Sequence, residues 1–199
     1  MRDLEELIRL ASGGDRRAFD DLVRAKREQV IRIAFQVTGD LSDAQDVAQS
    51  VFLRLWQVLK RYDPGRRFDT WLYRITVNAA IDQLRAQGPK GWLQPLPADP
   101  DFLGAAPGPG PDDRLDGKAL QRAFLRLASR LAPKQRAVFV LHEIEGLESA
   151  AIAEAMGIRE STVRNHLLQA RRVLRDGLER EYPELIRRPA SADGGKGER

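Results

Sequence analysis

Along the first third of the chain, apolar residues return every three or four positions. From Asp15 onward, Phe19, Leu22, Val23, Val30, Ile33, Ala34 and Val37 fall in this register, and Gly39 stands where helices commonly stop. The spacing predicts one helix opened by Asp15 and a second begun at Ser42. On the second, Ala44, Val47, Ala48, Val51, Leu55, Val58 and Leu59 share an arc, while Asp46, Gln49, Ser50, Leu53 and Gln57 share the opposite one. Leu53 is thus an apolar residue among polar ones. It is either a lone exposed leucine, which is common, or the centre of a partner-binding patch.

A turn, Tyr62-Asp63-Pro64-Gly65-Arg66-Arg67, leads to a third periodic segment from Thr70. Leu72, Tyr73, Ile75, Val77, Ala79, Ala80 and Leu84 cover most of its circumference, which predicts a largely buried helix. The remaining stripe holds Trp71, Arg74, Asn78, Asp82 and Arg85. An aromatic plate, arginines and an amide beside a basic loop suit unpaired bases that stack and hydrogen-bond. The alternative is a solvated face with Trp71 tucked into the core.

Beyond residue 118 the apolar period resumes through Phe124, Leu127 and Leu131 to a break at Pro133, and a helix over KQRAVFVLHEIEG follows. Next come a short helix, a turn at Gly157-Ile158 and a long helix from about Glu160, the pattern of a helix-turn-helix. Val163, Leu167, Ala170 and Leu174 would anchor the long helix. Ser161, Asn165, Leu168, Gln169 and Arg172 would point outward, flanked by Arg164 and His166. Asn and Gln match adenine, Leu can touch a thymine methyl, and Arg holds guanine or phosphate.

Residues 87–117 separate these regions and contain seven of the eleven prolines and six of the sixteen glycines. The expected organisation is therefore all-α: a first helical lobe over 1–86, a Pro/Gly-rich linker over 87–117, a helix-turn-helix lobe over 118–186 and a tail over 187–199. The formal charge of +4 is uneven, with the linker at −3 between two basic lobes, which favours phosphate-rich partners. With no cysteine and two distant histidines, no thiol nucleophile, disulfide or metal cage is expected. No apolar run is long enough to span a bilayer and the start of the chain lacks a signal-peptide core, so a cytoplasmic protein without membrane insertion is expected. No catalytic constellation, cofactor motif or small-molecule substrate site is legible.

In order, DAQDVAQSVFLRLW (43–56), RFDTWLYRITVNAAIDQLR (67–85) and GLESAAIAEAMGIRESTVRNHLLQARRVLR (146–175) closely resemble bacterial RNA polymerase sigma factors of the small, two-domain, extracytoplasmic-function class. The resemblance implies that Asp43, Asp46, Gln49 and Leu53 dock on the clamp helices of the polymerase large subunit, with a further polymerase contact at the flap. It implies that Arg66, Arg67, Trp71, Arg74 and Asn78 capture minus-ten bases as promoter DNA melts. Arg164, Asn165, His166 and Gln169 would read the minus-thirty-five element, with Arg171 and Arg172 on phosphates. An anti-sigma antagonist is also implied, and a linker running near the RNA path.

Some positions depart from the family pattern. Ser50 replaces a usual acid, Glu148 and Arg159 stand where serine commonly caps the two helices, and His166 and Gln169 replace frequent basic residues. Ser149 or Ser161 would then move the caps by a residue or two. Asn165 and Gln169 favour an adenine-containing upstream element. Two other readings fit the same pattern: a transcriptional regulator whose helix-turn-helix binds duplex DNA while the first lobe senses a signal or dimerises, and an interaction module that sequesters polymerase or a regulator and has lost promoter reading.

Overall fold

The computed structural model describes residues 3–92, 120 and 122–183, and among these the regular structure is wholly helical. The linker's residues 93–117 and the tail lie outside the described residues. The first lobe comprises α1 (Leu4–Ser12), α2 (Arg16–Thr38), α3 (Leu41–Val58), a 3₁₀ turn (Leu59–Arg61) and α4 (Phe68–Trp92). The second comprises α5 (residues 122–128), α6 (Pro133–Phe139) with a π-helical extension (Val140–Ile144), α7 (Ser149–Met156) and α8 (Glu160–Glu181).

Carboxylate caps set the starts of the first three helices. Asp15 Oδ1 accepts from Arg17 N at 2.8 Å and Ala18 N at 3.2 Å, as the sequence predicts. Asp40, not Ser42, caps α3 by accepting from Asp43 N at 2.9 Å, so the helix starts one residue early, at Leu41. Helix α1, which the sequence reading passed over, is capped in the same way by Asp3 and buries Leu7, Ile8 and Ala11. Gly39 ends α2 at φ 84°, where a side chain would be strained.

Helix α4 begins at Phe68, two residues before Thr70, and its path runs through residue 87 to a non-helical Gly88 before resuming to Trp92. The first residues assigned to the linker are therefore helical. In the second lobe, Gly157 makes the left-handed turn between α7 and α8 at φ 64°. The caps do not migrate to nearby serines. Glu148 and Arg159 occupy the cap positions and neither makes a side-chain cap hydrogen bond.

The apolar arcs point inward as expected. Ala44, Val47, Val51 and Leu55 of α3, Leu72, Val77 and Leu84 of α4, and Val163, Leu167, Ala170 and Leu174 of α8 are buried. Helix α8 can lie close on α5 because Gly177 leaves room: a Cβ there would stand 2.5 Å from Leu127 Cδ2, itself fully buried. Gly177→Val should overpack this contact and cost about 1–3 kcal/mol, read as a lowered Tm of the full chain.

The two lobes are packed together. One core cluster runs from α1–α4 into Val138, Leu141, Ile152 and Val163 of the second lobe. The polar ties across the seam are specific. Arg136 Nε donates to the Gln36 carbonyl at 2.8 Å, Arg32 pairs with Glu145 at 3.3 Å, and Arg66 pairs with Glu154 at 2.8 Å.

Candidate nucleic-acid and polymerase interfaces

Three surfaces hold the residues singled out by sequence. On α3, Asp46, Gln49 and Leu53 are exposed on one face, and Leu53 is 62% exposed. Asp43 differs from them. Its carboxylate accepts from Gln83 Nε2 at 2.8 Å and from Gln87 Nε2 at 2.7 and 2.8 Å, so it binds α3 to α4 and lies at the edge of the patch. Ser50 is exposed beside Gln49.

The second surface is built by the turn and α4. Asp63 accepts from Gly65 N at 2.9 Å, and the Tyr62 hydroxyl donates to the Arg66 carbonyl at 2.5 Å, which fixes the loop that carries Arg66 and Arg67. Trp71 packs against Tyr62 and Phe68, with ring centroids 5.3 and 6.1 Å away. Trp71 is therefore half-buried against the core and also lines an open cleft.

That cleft measures about 530 Å³ and is lined by Trp71, Arg74, Asn78, Asp82 and Arg85 from α4 together with Arg54, Arg61, Lys134 and Met156. Arg54, Arg61 and Lys134 were not singled out by sequence, because their helices read as ordinary amphipathic faces. Arg61 alone carried a signal, its nearness to the basic loop. Among the described residues, Arg54, Arg61, Arg74 and Lys134 have no carboxylate partner, so the cleft is strongly positive. A smaller recess of about 290 Å³ joins Arg66, Arg67, Thr70, Trp71 and Arg74 to Ala151, Glu154 and Ala155 of α7.

The third surface is the outer face of α8. Asn165, Leu168, Gln169 and Arg172 are exposed, with Leu168 68% exposed, and Arg164 lies beside them paired to Glu160 at 3.3 Å. Two side chains are held from within the lobe. Gln135 Nε2 donates to Gln169 Oε1 at 2.6 Å, and Arg171 Nε donates to Glu143 Oε1 at 2.9 Å. The first bond fixes the Gln169 amide with its nitrogen free to donate outward. The hydrogen bond from Arg171 lowers the Glu143 pKa, which favours the ion pair at neutral pH. Burial, then Lys134, lowers the His166 pKa. The imidazole is accordingly neutral at pH 7 and offers a hydrogen bond and not a cation.

These differences separate positioning from reading. On a bound duplex, Arg172→Ala should weaken affinity uniformly across sequences and lower the salt slope by about one. Asn165→Ala should cost roughly 1–3 kcal/mol at one base pair and leave the slope unchanged. Salt titrations against a set of single-base variants distinguish the two.

No group of three or more His, Asp or Glu is placed to hold a metal ion among the described residues. No described helix is long and apolar enough to cross a membrane.

Comparison with known proteins agrees with this geometry. Residues 22–89 match the family described as Sigma-70 region 2, and residues 121–174 match Sigma-70, region 4. The chain is 30% identical to the RNA polymerase sigma-H factor of Pseudomonas aeruginosa, covering 88% of this chain and 93% of that one. It is 29% identical to the extracytoplasmic-function factor SigW of Bacillus subtilis, over 88% of this chain and 96% of SigW. Identity to SigE of Mycolicibacterium smegmatis is 34%, over 84% of this chain, which spans 64% of that relative's length. Among solved structures, CnrH in complex with the cytosolic domain of CnrY shares the fold with a TM-score of 0.64 and 24% identity, over 90% of this chain and 99% of that chain. The Bartonella quintana sigma factor RpoE, bound to the anti-sigma factor NepR, does so at 0.60 and 21%, over 82% and 98%. With both regions matched in order on two helical lobes, the chain belongs to the sigma-70 family of RNA polymerase sigma factors, in its extracytoplasmic-function class.

Proposed function

We propose that the protein binds core RNA polymerase, brings it to promoters and helps open them, supplying binding energy and no catalysis of its own. The observation that carries this reading is the coexistence, on one chain, of a basic cleft with an aromatic plate and a separate helix-turn-helix face. The first suits unpaired bases and the second suits duplex. In this reading Asp46, Gln49 and Leu53 meet the polymerase clamp, with Asp43 bracing them. Arg66, Arg67, Trp71, Arg74 and Asn78 take minus-ten bases. Arg164, Asn165, His166 and Gln169 read the minus-thirty-five element, with Arg171 and Arg172 near phosphates. A second polymerase contact lies at the flap.

Unpairing a base costs a few kcal/mol, and stacking on Trp71 with hydrogen bonds to Asn78 offsets that cost only once a base has left the helix. The protein works where polymerase works, in the cytoplasm. An anti-sigma factor holds it inactive, as NepR is bound to its sigma factor in the solved complex.

The test compares affinity for a promoter duplex with and without core polymerase. Weak binding alone and tight, site-specific binding with polymerase is the expected result. Tight, specific binding by the chain alone would favour an ordinary regulator.

A further inference from the structure

Between α6 and the reading face of α8 runs a short relay of amides with a fixed direction. Ala132 stands at the N-cap of α6, where its methyl group cannot accept a hydrogen bond, and Pro133 follows at the start of the helix. Gln135, in the same turn, folds back, and its Oε1 accepts from Ala132 N at 3.1 Å. A backbone N–H can only donate, so the end of the Gln135 amide that meets it is the oxygen. Nε2 is then the end that faces α8, where it donates to Gln169 Oε1 at 2.6 Å. The first bond thus sets the sense of the second.

The relay decides what Gln169 offers to a base. An unconstrained glutamine amide presents one donor and one acceptor together and matches N7 and N6 of adenine. With Oε1 held by Gln135, Gln169 leads with Nε2, which carries two donors and no acceptor. Gln169 is exposed on the same face as Asn165 and Arg172, which stand one turn to either side, whereas Gln135 is half-buried and is the anchored member of the pair. In the major groove guanine offers two neighbouring acceptors, N7 and O6, while thymine offers O4 alone and cytosine a donor at N4. A leading NH2 group therefore matches guanine best.

We infer that Gln135 is a specificity-determining positioning residue: it turns the Gln169 amide so that this position of the upstream element is read as guanine, which leaves the adenine match to Asn165. The inference rests on the reading of α8 as the minus-thirty-five face. Gln135 acts through Gln169 and not on the base, and the direction it imposes originates in the Ala132 backbone N–H.

The test reverses the relay. Gln135→Glu keeps an oxygen to accept from Ala132 N, but its ionised carboxylate has no hydrogen to give. Gln169 must then turn over, donate Nε2 inward and present Oε1 to the groove, where it accepts from cytosine N4 or adenine N6. Holoenzyme made with the full chain selects duplexes from a library built on a promoter it uses and randomised through the minus-thirty-five region, and the bound pool is sequenced. One position should favour guanine with the native chain and lose its preference with Gln169→Ala, which identifies it. At that position Gln135→Glu should shift the ratio of guanine to cytosine plus adenine by roughly tenfold or more, and Gln135→Ala should flatten it without inverting it. Ratios within one pool are insensitive to an overall loss of binding, and unchanged preferences at the other positions report an intact lobe. A Gln169-dependent position that favours adenine or cytosine with the native chain overturns the inference. So does a guanine preference that survives both Gln135→Glu and Gln135→Ala. If Gln169→Ala alters no position, the base-reading role of Gln169 itself fails and the inference falls with it.

Discussion

A holoenzyme carrying Trp71→Ala and Asn78→Ala should form open complexes about a hundredfold or more slowly, or not at all, while its affinity for core polymerase stays within about twofold. Stacking on an aromatic ring contributes about 1–3 kcal/mol per base, and the Asn78 amide adds hydrogen bonds to the same captured strand. Both contributions exist only after unpairing, so both are lost from the open complex and not from the initial duplex complex. The exposed Asp46, Gln49 and Leu53 patch on α3, the proposed polymerase contact, lies on a different helix and is untouched. Since Trp71 also packs on Tyr62 and Phe68, Trp71→Phe is the control: it retains a ring for both roles and should recover most of the activity. Permanganate reactivity of promoter thymines is the readout, and reactivity unchanged in the double variant counts against base capture by this stripe.

The second large effect belongs to Leu53. At 62% exposure its side chain contributes little to the fold, so Leu53→Asp should leave Tm nearly unchanged, as surface changes usually do. At a docked interface the same side chain would be buried, and that burial is worth roughly 1.5–3 kcal/mol. A carboxylate at this position adds a desolvation cost beside Asp46. Affinity for core polymerase should therefore fall by at least about tenfold, measured by competition against an unmodified factor. Asp43→Asn should do less at the polymerase, because Asp43 is engaged by Gln83 and Gln87.

Local features were legible in the sequence wherever the physics is local. Asp15 and Gly39 marked the ends of α2 because a cap and a left-handed stop depend on a few adjacent residues. The inward arcs of α3 and α8 followed from helical period, and so did the outward placement of Leu53, Asn165, Leu168 and Gln169. Helix α1 was missed because nine residues give a short pattern next to the polar stretch at Ser12-Gly13-Gly14. Asp40 was overlooked as a cap in favour of Ser42, two positions on.

What remained illegible depends on contacts between distant segments. Nothing about Arg136 distinguishes it from the other arginines until the fold brings it to the end of α2, 100 residues earlier. Asp43 looks free on a wheel, yet α4 supplies two amides to it. The linker between 87 and 117 divides the sequence into two compositional regions, while the apolar core continues from one lobe to the other. Composition describes the chain's freedom, and the seam arises from side chains that composition does not order.

In the proposed mechanism, two DNA-reading surfaces act through a polymerase-docking face. It is tested most directly by run-off transcription from pooled genomic templates with core polymerase and the full chain. Discrete start sites that require the chain, and that disappear with either Leu53→Asp or the Trp71→Ala and Asn78→Ala pair, are the expected result. Absence of specific initiation by the native chain, together with tight duplex binding in the absence of polymerase, would contradict the account.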